Sequence, residues 1–268
     1  MLIRIFVFWL AMSAVPAAPS PAQEGLCNGK NALIYYGAVA DQDSALELAS
    51  IFEGLGCEVE YFCRMDQLHT LLEHAAILVI GGTGEDLSPV HDELESDPGI
   101  QEAIQAYLDG GGRYLGICGG AFLASAGYEE CYPGCQSFYW QPALELIKVE
   151  TEWYDDDETQ VAQLVKIHWV RPDRTYGTFY QAGPVFLPLE KGNPDGEVLA
   201  TYPVRKKDEP APAAVIMADH GPLGRVLLLG PHPEATKEWL APNDLRQSEW
   251  QDSRCLLVEA IWDLMEPR

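Results

Sequence analysis

The residue of this sequence with the clearest potential for chemistry is Cys118, the centre of a Gly-Ile-Cys-Gly-Gly motif. The apolar residues 113–117 predict a short strand, and residues 121–126 predict the first turns of a helix. A cysteine on such a sharp bend has the geometry of a nucleophile elbow, where Gly116 and Gly120 allow the close packing that the bend requires. A helix N-terminus favours a thiolate, so this segment predicts a nucleophile for acyl transfer.

A base for this nucleophile is predicted much later in the chain, at His232. The apolar run 225–229 predicts a buried strand, and Pro-His-Pro-Glu follows its carboxyl end. In open parallel sheets, ligands bind beyond the carboxyl ends of the strands, which is also where Cys118 lies. Glu234 can orient one imidazole nitrogen of His232 while the other nitrogen faces the thiol. We therefore predict Cys118, His232 and Glu234 as catalytic residues. If they are exposed on a pocket floor, their replacement should alter folding stability little.

The elements that must position these residues alternate along the first half of the chain. Strands are predicted at 32–36, 57–62, 76–80 and 113–117, and helices at 44–55, 65–73 and 100–108. This alternation predicts an α/β fold with a doubly wound, mostly parallel sheet flanked by helices. A Gly-Gly-Thr loop ends the third strand, so backbone N–H groups at Gly82 or Thr83, together with that of Gly119, are predicted to form an oxyanion hole.

The pattern changes between residues 145 and 217. Short β-rich runs at 144–149, 163–170 and 175–179 are separated by proline, glycine and acidic turns. They predict an antiparallel β segment inserted between the elbow and the strand that precedes His232. A closing helix is predicted over 243–265, with Trp250, Leu257, Ile261 and Leu264 on its core side.

These residues together resemble a known family. Gly116-x-Cys118-x-Gly120 followed by His232-Pro233-Glu234 is similar to the class I glutamine amidotransferase fold and its Cys-His-Glu triad. Further segments narrow the resemblance to the domain at the N-terminus of eukaryotic biotin–protein ligases, which also occurs as a free-standing protein. Those segments, besides the two motifs, are Ala32–Gly37, Leu78–Gly82, Gly110–Leu115 and Tyr180–Phe186.

The resemblance implies a flavodoxin-like arrangement and a cysteine hydrolase that acts on an amide or peptide bond of a small substrate. It also supports the oxyanion placement near Gly82 and Gly119, and it implies no cofactor. Biotin ligation is not carried over, because the matched segments do not include the ligase's own catalytic domain. The alternative is a catalytically silent binding module that keeps the pocket. In that case His168, Trp169, Tyr139 and Trp140 are candidates to line it.

The composition limits the classes of partner. The chain has 268 residues and a formal net charge of −24, which repels phosphate backbones and anionic lipid. We expect a small-molecule substrate and no nucleic-acid partner. No metal site is predicted, since the acidic run 155–158 fits no calcium loop and is read as a solvated hairpin tip. Oligomeric state is left open.

The N-terminus predicts export. Arg4 is followed by a short apolar run at 5–12 and by a small-residue cleavage signal, Ser20-Pro21-Ala22. We therefore predict a signal peptide over 1–22, a single domain over 23–268, and a periplasmic or extracellular protein that does not stay in the membrane after cleavage.

Seven cysteines lie beyond the cleavage site. Setting Cys118 aside leaves six, which is compatible with disulfides in an oxidising compartment. Cys57 and Cys63 are separated by a strand-like run and are not expected to pair. Cys131 and Cys135 form either a local disulfide or two free thiols.

Overall fold

The structure is a computed structural model that describes residues 25–84, 86–130, 139–154, 161–189, 196–205 and 209–267. The predicted signal peptide, the Cys131–Cys135 loop and the acidic run 155–158 lie outside these residues. Among the helices of the described ranges, none combines the length and the apolar character that crossing a membrane requires.

The described residues form thirteen strands and six α-helices. The strands are β1 (Asn31–Tyr35), β2 (Glu58–Phe62), β3 (Ala75–Ile80), β4 (Arg113–Ile117), β5 (Gly127–Glu130), β6 (Tyr139–Pro142), β7 (Val149–Trp153), β8 (Gln163–Trp169), β9 (Arg174–Tyr180), β10 (Pro184–Pro188), β11 (Glu197–Thr201), β12 (Ala213–His220) and β13 (Gly224–Leu229). The helices are α1 (Gln42–Gly54), α2 (Leu68–Leu71), α3 (Ser88–Ser96), α4 (Gly99–Asp109), α5 (Gly119–Ala124) and α6 (Arg254–Met265).

The strands join into one sheet whose main path runs β2-β1-β3-β4-β13-β12-β10-β7-β5-β6. Strands β2, β1, β3, β4 and β13 are parallel neighbours, so their carboxyl ends share one edge. Antiparallel pairing begins where β12 joins β13. The predicted α/β fold is confirmed, and most of the strands inserted between β4 and β13 pair antiparallel.

Helices cover both faces of the parallel strands. On β1, Ala32 and Ile34 belong to the core cluster shared with α1 and α6, whereas Leu33 and Tyr35 belong to the cluster shared with α2 and α4. Successive strand residues point to opposite faces, so a strand buried on both faces is apolar throughout. This explains why the central strands are continuous apolar runs in the sequence.

The prediction of a strand at 144–149 is wrong, since the strand begins only at Val149. Leu144, Leu146 and Ile147 are buried, but as irregular chain. The amides of Leu144 and Leu146 donate to the carbonyls of Leu123 and Ala124 at the end of α5. The apolar run therefore packs beneath the elbow helix rather than entering the sheet. Helix α3 was not predicted from the sequence.

The closing helix is shorter than predicted. It begins at Arg254 rather than near residue 243, and the segment before it contains Asp244 with a left-handed φ of 55°. Leu257, Ile261 and Leu264 are buried on its core side as predicted. Trp250 lies outside the helix and packs with a separate cluster that contains Phe179.

One disulfide joins Cys27 to Cys57, across a separation of 30 residues. It ties the segment before β1 to the segment before β2. Among the described residues, Cys63 and Cys255 are exposed free thiols, and the predicted absence of a Cys57–Cys63 pair is confirmed.

Replacing Cys27 with alanine is expected to lower the free energy of unfolding by about 3–4 kcal/mol, because a bridge over a loop of this length restricts the unfolded chain. Urea unfolding under non-reducing conditions measures the change. Cys63→Ala, at an exposed free thiol, is the matched control and should alter it little. Equal stability of the two variants would contradict the disulfide.

Candidate active site

Cys118 lies on a strained bend between β4 and α5. Its backbone angles are φ 52° and ψ −110°, a region that residues with a Cβ rarely adopt. Its amide still bonds to the Leu229 carbonyl at 2.8 Å, so the pairing of β4 with β13 continues up to the bend. The backbone therefore has the predicted elbow geometry.

The glycines around the bend allow the chains to approach closely. A methyl group built on Gly120 would overlap the Ile80 carbonyl oxygen, and one on Gly116 would lie 2.6 Å from the Gly120 carbonyl oxygen. A methyl group on Gly119 would overlap Thr83 Oγ1. The elbow is thus pressed against the loop that follows β3, and both predicted elbow glycines have a steric reason to be glycine.

Gly120→Ala is expected to destabilise the protein by about 1–3 kcal/mol, because the added methyl group meets backbone that cannot move aside alone. Denaturant unfolding measures this effect. Gly54→Ala is the matched control, since nothing lies within 4 Å of that position. The control should be neutral or stabilise helix α1 by up to about 1 kcal/mol. A Gly120→Ala variant as stable as the control would contradict the close packing.

His232 and Glu234 form a buried pair beyond the end of β13. The imidazole Nδ1 lies 2.8 Å from Glu234 Oε1. Glu234 is fully buried and His232 is only 4% exposed. The His232 amide donates to the Phe179 carbonyl at 2.9 Å, which fixes the backbone that carries the imidazole. Nδ1 faces the carboxylate, so Nε2 is the nitrogen left for Cys118.

The imidazole is enclosed by aromatic rings and by glycine. Phe179 and Trp239 lie 5.9 Å and 5.8 Å from it, measured between ring centroids. A methyl group on Gly82 would lie 2.9 Å from His232 Cε1. These contacts fix the ring plane, and they show why the loop after β3 carries a glycine at this position.

Cys118 is only 7% exposed. Its Sγ donates to the Gln181 carbonyl oxygen at 3.5 Å, and its side chain is near enough to His232 to raise the pKa of the imidazole. The three predicted residues therefore meet at one edge of the sheet. The condition for a small effect on stability, exposure on a pocket floor, is not met, because the segment after β9 and the aromatic rings cover these residues.

The pKa of His232 is held well above its usual value. Burial alone lowers it, but the negative charge of Glu234 and the hydrogen bonds with Cys118 and Glu234 together outweigh burial. The protonated imidazole is therefore the favoured form beside the Cys118 sulfur.

This shift has a consequence for stability. A histidine whose pKa is raised by folding stabilises the folded state fully below its unfolded pKa of about 6.5, and that stabilisation is lost as pH rises through the folded value. We expect the difference in unfolding free energy between wild type and Glu234→Gln to shrink as pH rises above about 6.5. Urea unfolding at a series of pH values tests this. A difference that does not vary with pH would contradict the ion pair.

The oxyanion prediction needs a correction at Gly82. The Gly82 amide donates to Ser44 Oγ at 2.9 Å, so it is not free to bind an oxyanion. The amides of Thr83 and Gly119 have no acceptor among the described residues. The packing of Thr83 against Gly119 brings the two segments together, which leaves these two amides as the remaining candidates.

Ser44 is the residue that sequence reasoning missed. Its hydroxyl donates to Glu234 Oε1 at 2.7 Å, across 190 residues of sequence. The available signal was its place in the first turn of the helix after β1, at the sheet edge that also holds Cys118. In isolation, a serine there reads as a helix-start residue.

Two of the aromatic candidates for the pocket lie elsewhere. Trp169 lines a cavity of about 450 Å³ beside α6, together with Trp262. On the β8–β9 hairpin, Trp169 pairs with Arg174, whereas Phe179 pairs with Leu164. That difference is roughly 17 Å along the strand, so Trp169 is remote from His232. His168 pairs with Asp173 at the same hairpin end.

A sequence profile of the family described as "Biotin-protein ligase, N terminal" matches residues 67–132 and 154–260, more than half of the chain. The chain belongs to this family. The residues matched by this biotin-protein ligase N-terminal profile include Cys118, His232, Glu234 and the loop at Gly82. Ser44 lies outside it. The family resemblance predicted from the sequence is confirmed. No curated protein sequence matched the chain.

Solved structures share the fold of this biotin-protein ligase N-terminal family member. A glutamine amidotransferase from Thermotoga maritima has a TM-score of 0.56 at 15% identity, with 88% of this chain and 99% of that chain covered. PurLQS from the same organism has a TM-score of 0.55 at 13% identity, covering 89% and 100%. A further glutamine amidotransferase has a TM-score of 0.54 at 18% identity, covering 87% and 100%. These likenesses concern the fold.

Proposed function

We propose that this protein is a cysteine hydrolase that cleaves an amide or peptide bond of a small substrate. The observation that carries the proposal is the strained Cys118 bend beside a buried His232–Glu234 pair. Acyl transfer needs a nucleophile, a proton carrier beside it and a group that orients the proton carrier. Here these are a thiol, a protonated imidazole and a carboxylate. The fold shared with glutamine amidotransferases supports an amide-directed function and makes glutamine the first amide to test.

In the proposed reaction, the Cys118 sulfur attacks the carbonyl carbon as a thiolate, whose charge is balanced by protonated His232. The carbonyl oxygen becomes an oxyanion, which the Thr83 and Gly119 amides stabilise. His232 gives its Nε2 proton to the departing amine, the C–N bond breaks, and a thioester remains. Water then attacks the thioester while neutral His232 takes one of its protons. Collapse of this intermediate breaks the C–S bond, which releases the carboxylic acid and restores the Cys118 thiolate beside protonated His232.

Hydrolysis of glutamine, small primary amides and short peptides tests this proposal, with the released amine or ammonia as the readout. We expect turnover for at least one of these classes in wild type and its loss in His232→Ala. Turnover that survives in the His232 variant would contradict the mechanism.

A catalytically silent binding module is the second candidate, and one observation favours it. Cys118 is nearly covered, and its thiol already donates to the Gln181 carbonyl, so a substrate must displace that contact. Absence of turnover on every substrate, combined with an unreactive Cys118, would establish this alternative.

We also propose that the protein is exported. The disulfide between Cys27 and Cys57 supports an oxidising compartment, where such bonds persist. Mass spectrometry of protein purified from its native host should find a chain that begins near Gln23. An intact Met1 on cytoplasmic protein would contradict export.

A further inference from the structure

We propose that Ser44 is a positioning residue that locks Glu234 and the loop at Gly82 into the geometry that hydrolysis requires. The inference rests on the proposed function and deepens it. Ser44 is fully buried, and its hydroxyl contacts both partners: it donates to Glu234 Oε1 at 2.7 Å and accepts from the Gly82 amide at 2.9 Å.

The direction of both hydrogen bonds is fixed by chemistry. A backbone N–H can only donate, so Ser44 Oγ must be the acceptor toward Gly82. The single hydroxyl hydrogen is then available to Glu234, whose ionised carboxylate can only accept. Ser44 therefore links the loop after β3 to the acid that orients His232, in one defined orientation.

Glu234 depends strongly on this contact. Its Oε1 bonds to both Ser44 and His232, whereas its Oε2 has no hydrogen-bond partner among the described residues. A fully buried carboxylate with so few donors loses much of its stabilisation when one of them is removed. Without the Ser44 hydroxyl, we expect Glu234 to hold the imidazolium less well.

The backbone around Ser44 is fixed against the same loop. Asp41 caps α1 by accepting from the Ser44 amide at 3.1 Å. The Asp41 amide donates to the Gly82 carbonyl at 2.9 Å, and the Gly84 amide donates to the Val39 carbonyl at 2.7 Å. The start of α1 is thus attached to the loop on both sides of Thr83, and Ser44 is presented from a rigid support.

The bond from Gly82 to Ser44 also decides which amide serves the oxyanion. Because Gly82 is already committed, the next amide along the loop, that of Thr83, is the donor beside Gly119 that has no acceptor among the described residues. Ser44 therefore acts through two of the proposed functional groups without touching the substrate.

The test compares Ser44→Thr with Ser44→Val, two side chains of nearly the same shape that differ in the hydroxyl. The readout is the rate of Cys118 alkylation by iodoacetamide as a function of pH, followed by peptide mass spectrometry. We expect Ser44→Thr to keep the wild-type profile. Ser44→Val should move the midpoint upward by about one pH unit and lower the rate near neutral pH about tenfold, the effect of one hydrogen bond to a charged group.

Further variants separate the possible explanations. Ser44→Ala gives the same comparison without added volume if valine prevents folding, and Gln42→Ala, an exposed position in the same helical turn, should match wild type. If Ser44→Val and Ser44→Ala give the same alkylation rate of Cys118 against pH as Ser44→Thr and differ only in melting temperature, the positioning role is overturned. A wild-type profile like that of an ordinary thiol, unaffected by His232→Ala, would instead overturn the proposed function itself.

Discussion

Cys118→Ala is expected to abolish hydrolysis, with a loss of at least about 10⁴-fold in kcat/KM for whichever amide wild type cleaves. The thiol is the only group at this bend that can form the acyl intermediate in the proposed mechanism. Removing a catalytic nucleophile leaves only the residual rate that binding and oxyanion stabilisation provide. The measurement is steady-state hydrolysis with enzyme verified as folded by circular dichroism.

The matched control is Cys255→Ala, which removes an exposed free thiol on α6. It should retain wild-type activity. Unchanged activity in Cys118→Ala would show that any hydrolysis by this protein takes place at another site.

His232→Ala is expected to lower kcat by about 10³–10⁴-fold, because it removes the cation that balances the attacking thiolate and the acid that protonates the departing amine. Glu234→Gln should be milder, about 10–100-fold, since the amide can still contact the imidazole but supplies no negative charge. Steady-state kinetics on the same amide gives both values.

Burial makes a stability control necessary for these two variants. His232 and Glu234 are enclosed, so their replacement should also lower the melting temperature; a small effect on stability was expected only for exposed residues. Activity is therefore compared per folded molecule. Equal, small losses for Cys118, His232 and Glu234 would contradict the assigned roles.

The convergence of the site was predictable because local patterns placed its members on neighbouring strands. Cys118 and His232 each follow an apolar run that forms a buried strand, and those strands, β4 and β13, are parallel neighbours. A parallel pair presents its carboxyl ends together. The bend itself was also predictable from local sequence, because Gly116 and Gly120 lie on either side of Cys118.

Features that depend on tertiary contact could not be derived from the sequence. Ser44 reaches Glu234 across 190 residues, and nothing in its own segment distinguishes that role from the start of a helix. The bond from the Gly82 amide to Ser44 could not be derived from the sequence for the same reason. Burial of the site depends on Phe179 and the Gln181 carbonyl, which come from a segment distant in sequence, and on Trp239, which follows Glu234 in the same segment.

Apolar content also led to a wrong prediction of a strand where the buried chain is in fact irregular. Residues 144–149 have the pattern of a strand, but the amides of Leu144 and Leu146 bond to the end of the elbow helix. The apolar side chains of this run are buried in the core beneath that helix. The pairing of Cys27 with Cys57 likewise needed the fold, since six candidate cysteines gave no local indication of partners.

The most direct test of the central claim is the rate at which iodoacetamide alkylates Cys118 at neutral pH, in wild type and in His232→Ala. If protonated His232 supports a thiolate at the bend, Cys118 should react faster than the exposed thiol of Cys255 in the same molecule despite its burial. That advantage should disappear in His232→Ala. A Cys118 that reacts no faster than Cys255, with or without the imidazole, would contradict the account and leave a binding scaffold.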